Sequence, residues 1–299
     1  MHWINSSRIK SDFLLLLVAI IWGTAFVAQR IAAQQVNLYT FNGLRFLLAS
    51  AFLIPILQLR KMNSLSSRFD REIGLGVLLA GIVLFIGAAL QQAGLQWTSA
   101  GNAGFITGLY VVFVPLLSTL FLGRKPRILN LLAVFIAAMG LYMLSTGGSF
   151  TITHGDSYEL GGAFLWAIHV ILIGSLANKA PPLQIAAGQN IVCGGLSLAF
   201  AFLATNFSPW YGLAEKLWAI LFTGLLSIGI GYTLQIVAQK ETPPTDAAVI
   251  LSMEAVVAAF SGWLILDERL SAVQMCGCFL MLTAMILAQL RSGSQASQQ

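Results

Sequence analysis

Ten apolar stretches follow one another along this chain, each close to the roughly 20 residues a helix needs to cross a bilayer. They lie near 12–33, 38–59, 73–95, 100–122, 127–146, 158–178, 183–205, 216–238, 245–266 and 271–290. They are continuously apolar and lack the every-other-residue alternation of membrane strands, so helices rather than a closed barrel are expected. Charge points the same way. Only 9% of the 299 residues are charged and 58% are hydrophobic, whereas a soluble domain carries roughly 25% charged residues. The predicted class is an all-α polytopic membrane protein with the lipid bilayer as its solvent.

Several other classes lose their footing at once. The net charge of +5 comes from basic residues in short loops, not from one helix face, so nucleic acid is not an expected partner. Cys193, Cys276 and Cys278 all fall in apolar segments and read as packing residues. The Cys276–Cys278 spacing is not that of a zinc site. No Walker loop, HExxH motif or nucleophile elbow occurs, and the loops are too short for a nucleotide-binding domain. No enzyme activity, metal or cofactor is expected. The first apolar stretch is long enough to span and is followed by others, so it reads as an uncleaved helix, not a signal peptide.

Lys and Arg set the expected orientation. With the N-terminus inside, twelve lie at inner ends, among them Arg8, Arg68, Arg124, Lys125, Arg127 and Arg291. Arg30, Lys216 and Arg269 lie at outer ends. The positive-inside rule then puts both termini in the cytoplasm.

The chain also repeats. A shift of 144 residues brings Asp12 onto Asp156, Trp22 onto Trp166, Gln91 onto Gln235 and Thr98 onto Thr242. Two repeats are expected, 12–146 and 158–290, joined by a linker at 147–157. Each holds five helices. The number is odd, so the second repeat enters from the opposite side. Inverted repeats of this kind are a hallmark of secondary transporters, with substrate held near the midplane between the halves.

Three stretches together resemble one known family. They are AIIWGTAFVAQRIA after a short basic N-terminus, TFNGLRFLLA in the second helix, and LILDERLSAVQMCGCFLMLTAMIL at the end. Their order and spacing resemble the EamA family of the drug/metabolite transporter superfamily, over about residues 12–290. The resemblance implies ten helices as two five-helix inverted repeats. It implies a central cavity surrounded by the first four helices of each half, with the fifth and tenth outside. It also implies export of amino acids and related metabolites across a bacterial inner membrane. The chain departs from the family in two places. Gly123-Arg124-Lys125 replaces the Leu-Gly-Glu pattern after the fourth helix. In the ninth helix Ala255 follows Glu254 where the family often has proline, so a kink matching that at Pro115 is not implied.

Glu254 stands out among candidate site residues. It lies about ten residues from either end of its helix, roughly 15 Å along the axis, too far to snorkel. A charge at mid-bilayer costs about 2.5–3.5 kcal/mol on insertion scales, so the side chain faces a cavity, pairs, or holds a proton. Ala247, Leu251, Ala258 and Ser261 share its face and form a mostly small stripe, leaving room for substrate or another helix. Its repeat mate is Tyr110, whose phenol can donate to a carboxylate or to a substrate. Trp22 and Trp166 are matched aromatics deep in their helices, suited to gripping apolar parts of a ligand. Gln29 lies two turns from Trp22 and His169 one turn from Trp166. Gln91 and Gln235 match across the repeat and either bond substrate or bridge helices. Arg45 sits seven residues into its helix, within reach of the interface, and reads as structural or gating. Without further intramembrane cations, organic phosphates are disfavoured as substrates. Gly104 and Gly108 have GxxxG spacing and read as a packing face.

The expected function is secondary active transport, most simply export of small amphipathic metabolites such as amino acids, with Glu254 the candidate for proton coupling. Uptake, uncoupled facilitation and a membrane-embedded scaffold are the alternatives. The chain is expected to act as a monomer or weak homodimer.

Overall fold

A computed structural model describes residues 6–61, 71–123, 128–146, 153–204, 211–269 and 271–289. Arg68, Arg124, Lys125, Arg127, Arg291 and residues 147–152 of the expected linker lie outside this set. The described residues are helical, with no strand among them. The helices are α1 (Ser6–Ala33), α2 (Leu38–Lys61), α3 (Arg71–Gly94), α4 (Ala100–Gly108), α5 (Tyr110–Leu122), α6 (Ile128–Thr146), α7 (His154–Leu176), α8 (Pro182–Ala204) and α9 (Leu217–Leu221). A π-helical stretch, Phe222–Tyr232, then leads into α10 (Thr233–Ala238), followed by α11 (Pro244–Leu251), α12 (Glu254–Leu266) and α13 (Ala272–Gln289). Eight continuous helical runs are long and apolar enough to cross a membrane. Two more apolar stretches, Ile128–Met143 and Ala272–Leu287, are shorter. The molecule is turned inside out relative to a soluble protein. Phe13, Leu120, Phe135 and Leu203 are exposed, while Asn42, Glu159, Gln189 and Gln235 are fully buried. This is a multi-pass membrane protein.

Two of the crossing runs are interrupted at mid-depth, at positions 144 residues apart. The first breaks at Leu109, between α4 and α5; the second at Ser252 and Met253, between α11 and α12. Pro115 lies in α5, where its ring prevents the normal fit to the preceding turn. The second break has no proline and rests on local hydrogen bonding. There Ser252 Oγ bonds back to Val249 O at 2.8 Å, and Met253 N reaches Ile250 O rather than the residue four back. A hydroxyl bonding back in this way bends helices. Tyr110 and Glu254 each start the helix that follows a break.

At Ala258 the small stripe beside Glu254 meets another helix, one of the two outcomes its size allows. A Cβ added to Gly104 would stand 2.6 Å from that of Ala258, and one on Gly23 would stand 2.5 Å from that of Val257. Close approach therefore brings α1 and α4 against α12, and the stripe beside Glu254 is filled by helix. Gly108 likewise meets Leu141, as the GxxxG reading expects.

Two further expectations need correction. The sixth crossing begins at His154 rather than near 158, because Thr153 and Asp156 form a reciprocal capping box. Residues 154–157, assigned to the linker, are therefore helix. Arg45 does not reach for the interface: it is buried, 3% exposed.

Candidate functional site

The nine side chains singled out in the sequence border one central cavity. From α1 come Trp22 and Gln29; from α2, Arg45; from α3, Gln91. Tyr110 opens α5, and α7 adds Trp166 and His169. Gln235 comes from α10 and Glu254 from α12. The helices α6, α8 and α13 contribute no lining residue. The fifth and tenth segments thus stay outside, packed on each other. The seventh, expected in the wall, contributes no lining residue either; behind the wall its Gln189 bonds His169 and its Cys193 packs with Phe46, Ile228 and Tyr232. The cavity has a volume of about 50 Å³. At about 10–15 Å³ for each water, it has room for a few water molecules.

One wall is aromatic. Tyr232, not among the nine, is its hub. Its ring lies 5.0 Å from Trp22, 5.5 Å from His169 and 6.2 Å from Phe46, centroid to centroid. The π-helical stretch places it there. Trp22 Nε1 donates to Ser227 O at 2.9 Å, using a carbonyl of this irregular segment. Isolated π turns are frequent at functional sites; here the stretch supplies Ser227, Ile228 and Tyr232 to the cavity.

Neutral amides and hydroxyls fix the polar side chains. Arg45 Nη1 donates to Gln29 Oε1 at 2.5 Å, and Gln92 Nε2 donates to Gln29 O at 3.0 Å. His169 Nε2 donates to Gln189 Oε1 at 3.1 Å. Gln91 Nε2 donates to the Thr107 hydroxyl, which donates to Glu159 Oε2 at 3.1 Å. Glu159 is a second intramembrane acid, fully buried, that the sequence reading missed. With the helix start placed at 158 it looked interfacial; the capping box moves it into the second turn.

Several polar atoms facing the cavity have no protein partner. They include Oε1 of Glu254, the Tyr110 hydroxyl, Trp166 Nε1 and both amide atoms of Gln235. Tyr110 and Glu254 lie side by side without a well-formed hydrogen bond between them. Buried polar atoms are nearly always satisfied, so this concentration marks the cavity as a place that receives polar matter.

Polar contacts join helices on both faces of the molecule. On the face holding the N-terminus, Arg8 bonds Asp12 Oδ1 and Asp246 Oδ2, each at 2.8 Å, and Glu241 O at 3.1 Å. Thr242 donates to Asp12 and Asn130 to Asp246. On the opposite face Thr98 donates to Asp156 Oδ1 at 3.0 Å. Glu268 accepts from the amides of Ala100 and Gly101 at 3.3 and 3.4 Å, and Arg30 donates to Leu95 O. Asp12 precedes Trp22 by ten residues, and Asp156 precedes Trp166 by ten. Each set of contacts therefore lies roughly 15 Å along a helix from the cavity-lining Trp.

An apolar exterior around a central polar cavity, with polar contacts between helices on either face, defines a membrane protein organised around an internal compartment. The chain belongs to the EamA-like transporter family, whose model matches twice, over residues 9–146 and 153–290. An uncharacterized transporter of Archaeoglobus fulgidus is 33% identical over 285 residues, covering 95% of this chain and 87% of that one. The threonine/homoserine exporter RhtA of Salmonella typhimurium is 27% identical over 186 residues, covering 60% of this chain and 58% of that one. A crystal structure of a protein 17% identical in sequence shares the fold, with a TM-score of 0.74 over 94% of this chain and 98% of that one. The protein is a transmembrane transporter.

Proposed function

We propose that this transporter is a secondary active exporter of small amphipathic metabolites such as amino acids, driven by proton exchange at Glu254. In this reading ten helices form two inverted repeats, 12–146 and 158–290, with both termini in the cytoplasm of the cell that bears it on its inner membrane. Trp22 and Trp166 hold the apolar part of the substrate. Gln29, Gln91, Tyr110, His169, Gln235 and Glu254 meet its polar groups, and Arg45 fixes the wall.

One observation carries the reading. Thr98 of the first half bonds Asp156 of the second on one face; Thr242 of the second bonds Asp12 of the first on the other. These are the same pair, exchanged between repeats by the shift of 144 residues. A symmetric device of this kind suits a molecule that opens one end and then the other. The helix breaks at Leu109 and Met253, again 144 apart, place a hinge beside Tyr110 and Glu254. The double match of the family model and the likeness to a threonine/homoserine exporter support the same reading.

Proteoliposomes loaded with labelled L-threonine, L-homoserine or a mixture of the other amino acids test it. An imposed proton gradient is expected to drive efflux in the parent. Glu254→Gln is expected to keep counterflow exchange and lose the response to the gradient. A Glu254→Gln protein that exports as fast, with the same pH dependence, would rule out coupling at this residue. Net movement only down the substrate gradient would instead favour a facilitator.

A further inference from the structure

A buried cation stands in the cavity wall with no protein anion against it. The Arg45 guanidinium borders the cavity, and the partner of its Nη1 is the neutral Gln29 amide. Its Nε has no partner. Phe41 and Phe46 flank it, their ring centroids 4.9 and 5.4 Å from Cζ. Rings and an amide position a guanidinium but do not neutralise it. Arg8 pairs with Asp12 and Asp246, whereas Arg45 forms no ion pair among the described residues. Glu254 borders the same cavity from α12 and forms no ion pair with Arg45. The compartment therefore carries a basic pole and an acidic pole, held apart.

A pair of poles of this kind fits a dipolar ligand. We propose that Arg45 binds the carboxylate of a small zwitterionic substrate whose ammonium group turns toward Glu254. The proposal rests on the amino-acid reading above and gives Arg45 a substrate-binding role beyond fixing the wall. A guanidinium fork matches the two oxygens of a carboxylate. A phosphate needs more positive charge, and among the described residues no second Arg or Lys borders the cavity. The limited space suits a head group of a few heavy atoms, with the rest of a substrate accommodated as the helices part.

Gln29 supplies the decisive variant. Gln29→Glu keeps shape and volume but sets a carboxylate where the neutral amide now accepts from Arg45. It furnishes a resident counterion, so it is expected to fold and to compete with any ligand carboxylate. Arg45→Gln removes the pole itself. Sodium acetate is the first probe, compared with sodium chloride at equal ionic strength, and the readout is the thermal midpoint of the purified full-length protein. Acetate is expected to stabilise the parent and not Gln29→Glu or Arg45→Gln. The second arm is proteoliposome uptake of each amino acid that the parent transports, alongside its methyl ester. The free acid is expected to compete about tenfold or more better than the ester in the parent, the loss of one charge-assisted hydrogen bond, and equally in Gln29→Glu.

If acetate stabilises the parent no more than chloride does, or stabilises Gln29→Glu equally, the carboxylate pole is refuted. If acetate acts through Arg45 but no amino acid is transported, the pole stands and the amino-acid reading falls. If amino acids are transported equally by the parent and both variants, the reading stands and the pole falls.

Discussion

Thr98→Val offers a direct test of closure by exchanged pairs. Valine keeps the shape of threonine and removes the hydroxyl that bonds Asp156 at 3.0 Å. A hydrogen bond to a charged group contributes about 1.5–3 kcal/mol, so the opposite face should open about 10–150-fold more often at 1.4 kcal/mol per tenfold. The Glu268 contacts there are long, 3.3 and 3.4 Å, and should compensate little. Thr242→Val makes the mate substitution on the N-terminal face. It removes one bond to Asp12, but Arg8 still holds both Asp12 and Asp246 at 2.8 Å. That face should loosen by a similar factor from a more firmly closed starting point. The readout is a single cysteine placed at Ser227, which borders the cavity, with Cys193, Cys276 and Cys278 replaced by alanine. A membrane-impermeant maleimide is added from one side at a time in oriented vesicles. Thr98→Val should raise labelling from the opposite face alone, and Thr242→Val from the N-terminal face alone. Equal acceleration from both sides would mean general loosening, and no acceleration from either would mean that these bonds do not hold the ends. Either result refutes the reasoning.

Other substitutions probe the framework around the cavity. Gly104→Ala places a methyl group 2.6 Å from Ala258 Cβ and should destabilise by about 1–3 kcal/mol in thermal unfolding; adding Ala258→Gly should recover most of the loss. Glu159→Leu leaves the buried Thr107 hydroxyl without its acceptor and should cost about 1–3 kcal/mol, whereas Glu159→Gln keeps an acceptor and should unfold at nearly the parent midpoint. Trp22→Phe removes the bond to Ser227 O and should lower stability by about 0.5–1.5 kcal/mol while weakening apparent substrate affinity in the proteoliposome assay.

The parts of this molecule that are read easily from its sequence are those the bilayer makes expensive. A polar side chain far inside an apolar run requires an explanation, so Glu254, Gln91, Gln235 and His169 could be selected by position alone, and the structure brings all four to one cavity. The parts that stayed hidden depend on local hydrogen bonding. HGDS reads as loop until Thr153 and Asp156 cap a helix, and that one turn decides that Glu159 is interior. The break at Ser252 has no proline to announce it, and the π-helical stretch has an ordinary apolar sequence. Arg8 was counted as an interfacial positive charge because it lies near the chain start, yet it is 9% exposed and closes a face through partners more than 230 residues away.

The repeat explains why the framework and the site obey different rules. Residues that shape the two ends or break the helices tend to match across the shift: Asp12 with Asp156, Thr98 with Thr242, Leu109 with Met253. Charges that meet the interior do not. Arg45 corresponds to Gln189, Glu254 to Tyr110, and Glu159 to Leu15. The Arg8 partner Asp246 corresponds to Asn102, so the N-terminal face also has the stronger closure. In the proposed alternating exposure, matched framework residues let the two halves adopt each other's shape at similar free energy. A matched set of charges would have doubled every buried ion, each costing about 2.5–3.5 kcal/mol at mid-membrane, and made the cavity the same at both poles. Leaving Arg45, Glu159 and Glu254 without charged mates, the base from one half and the acids from the other, halves that burden and orients whatever is bound. Under the proposed inverted repeat, symmetry sets how the molecule moves, and the departures from symmetry set what it can hold.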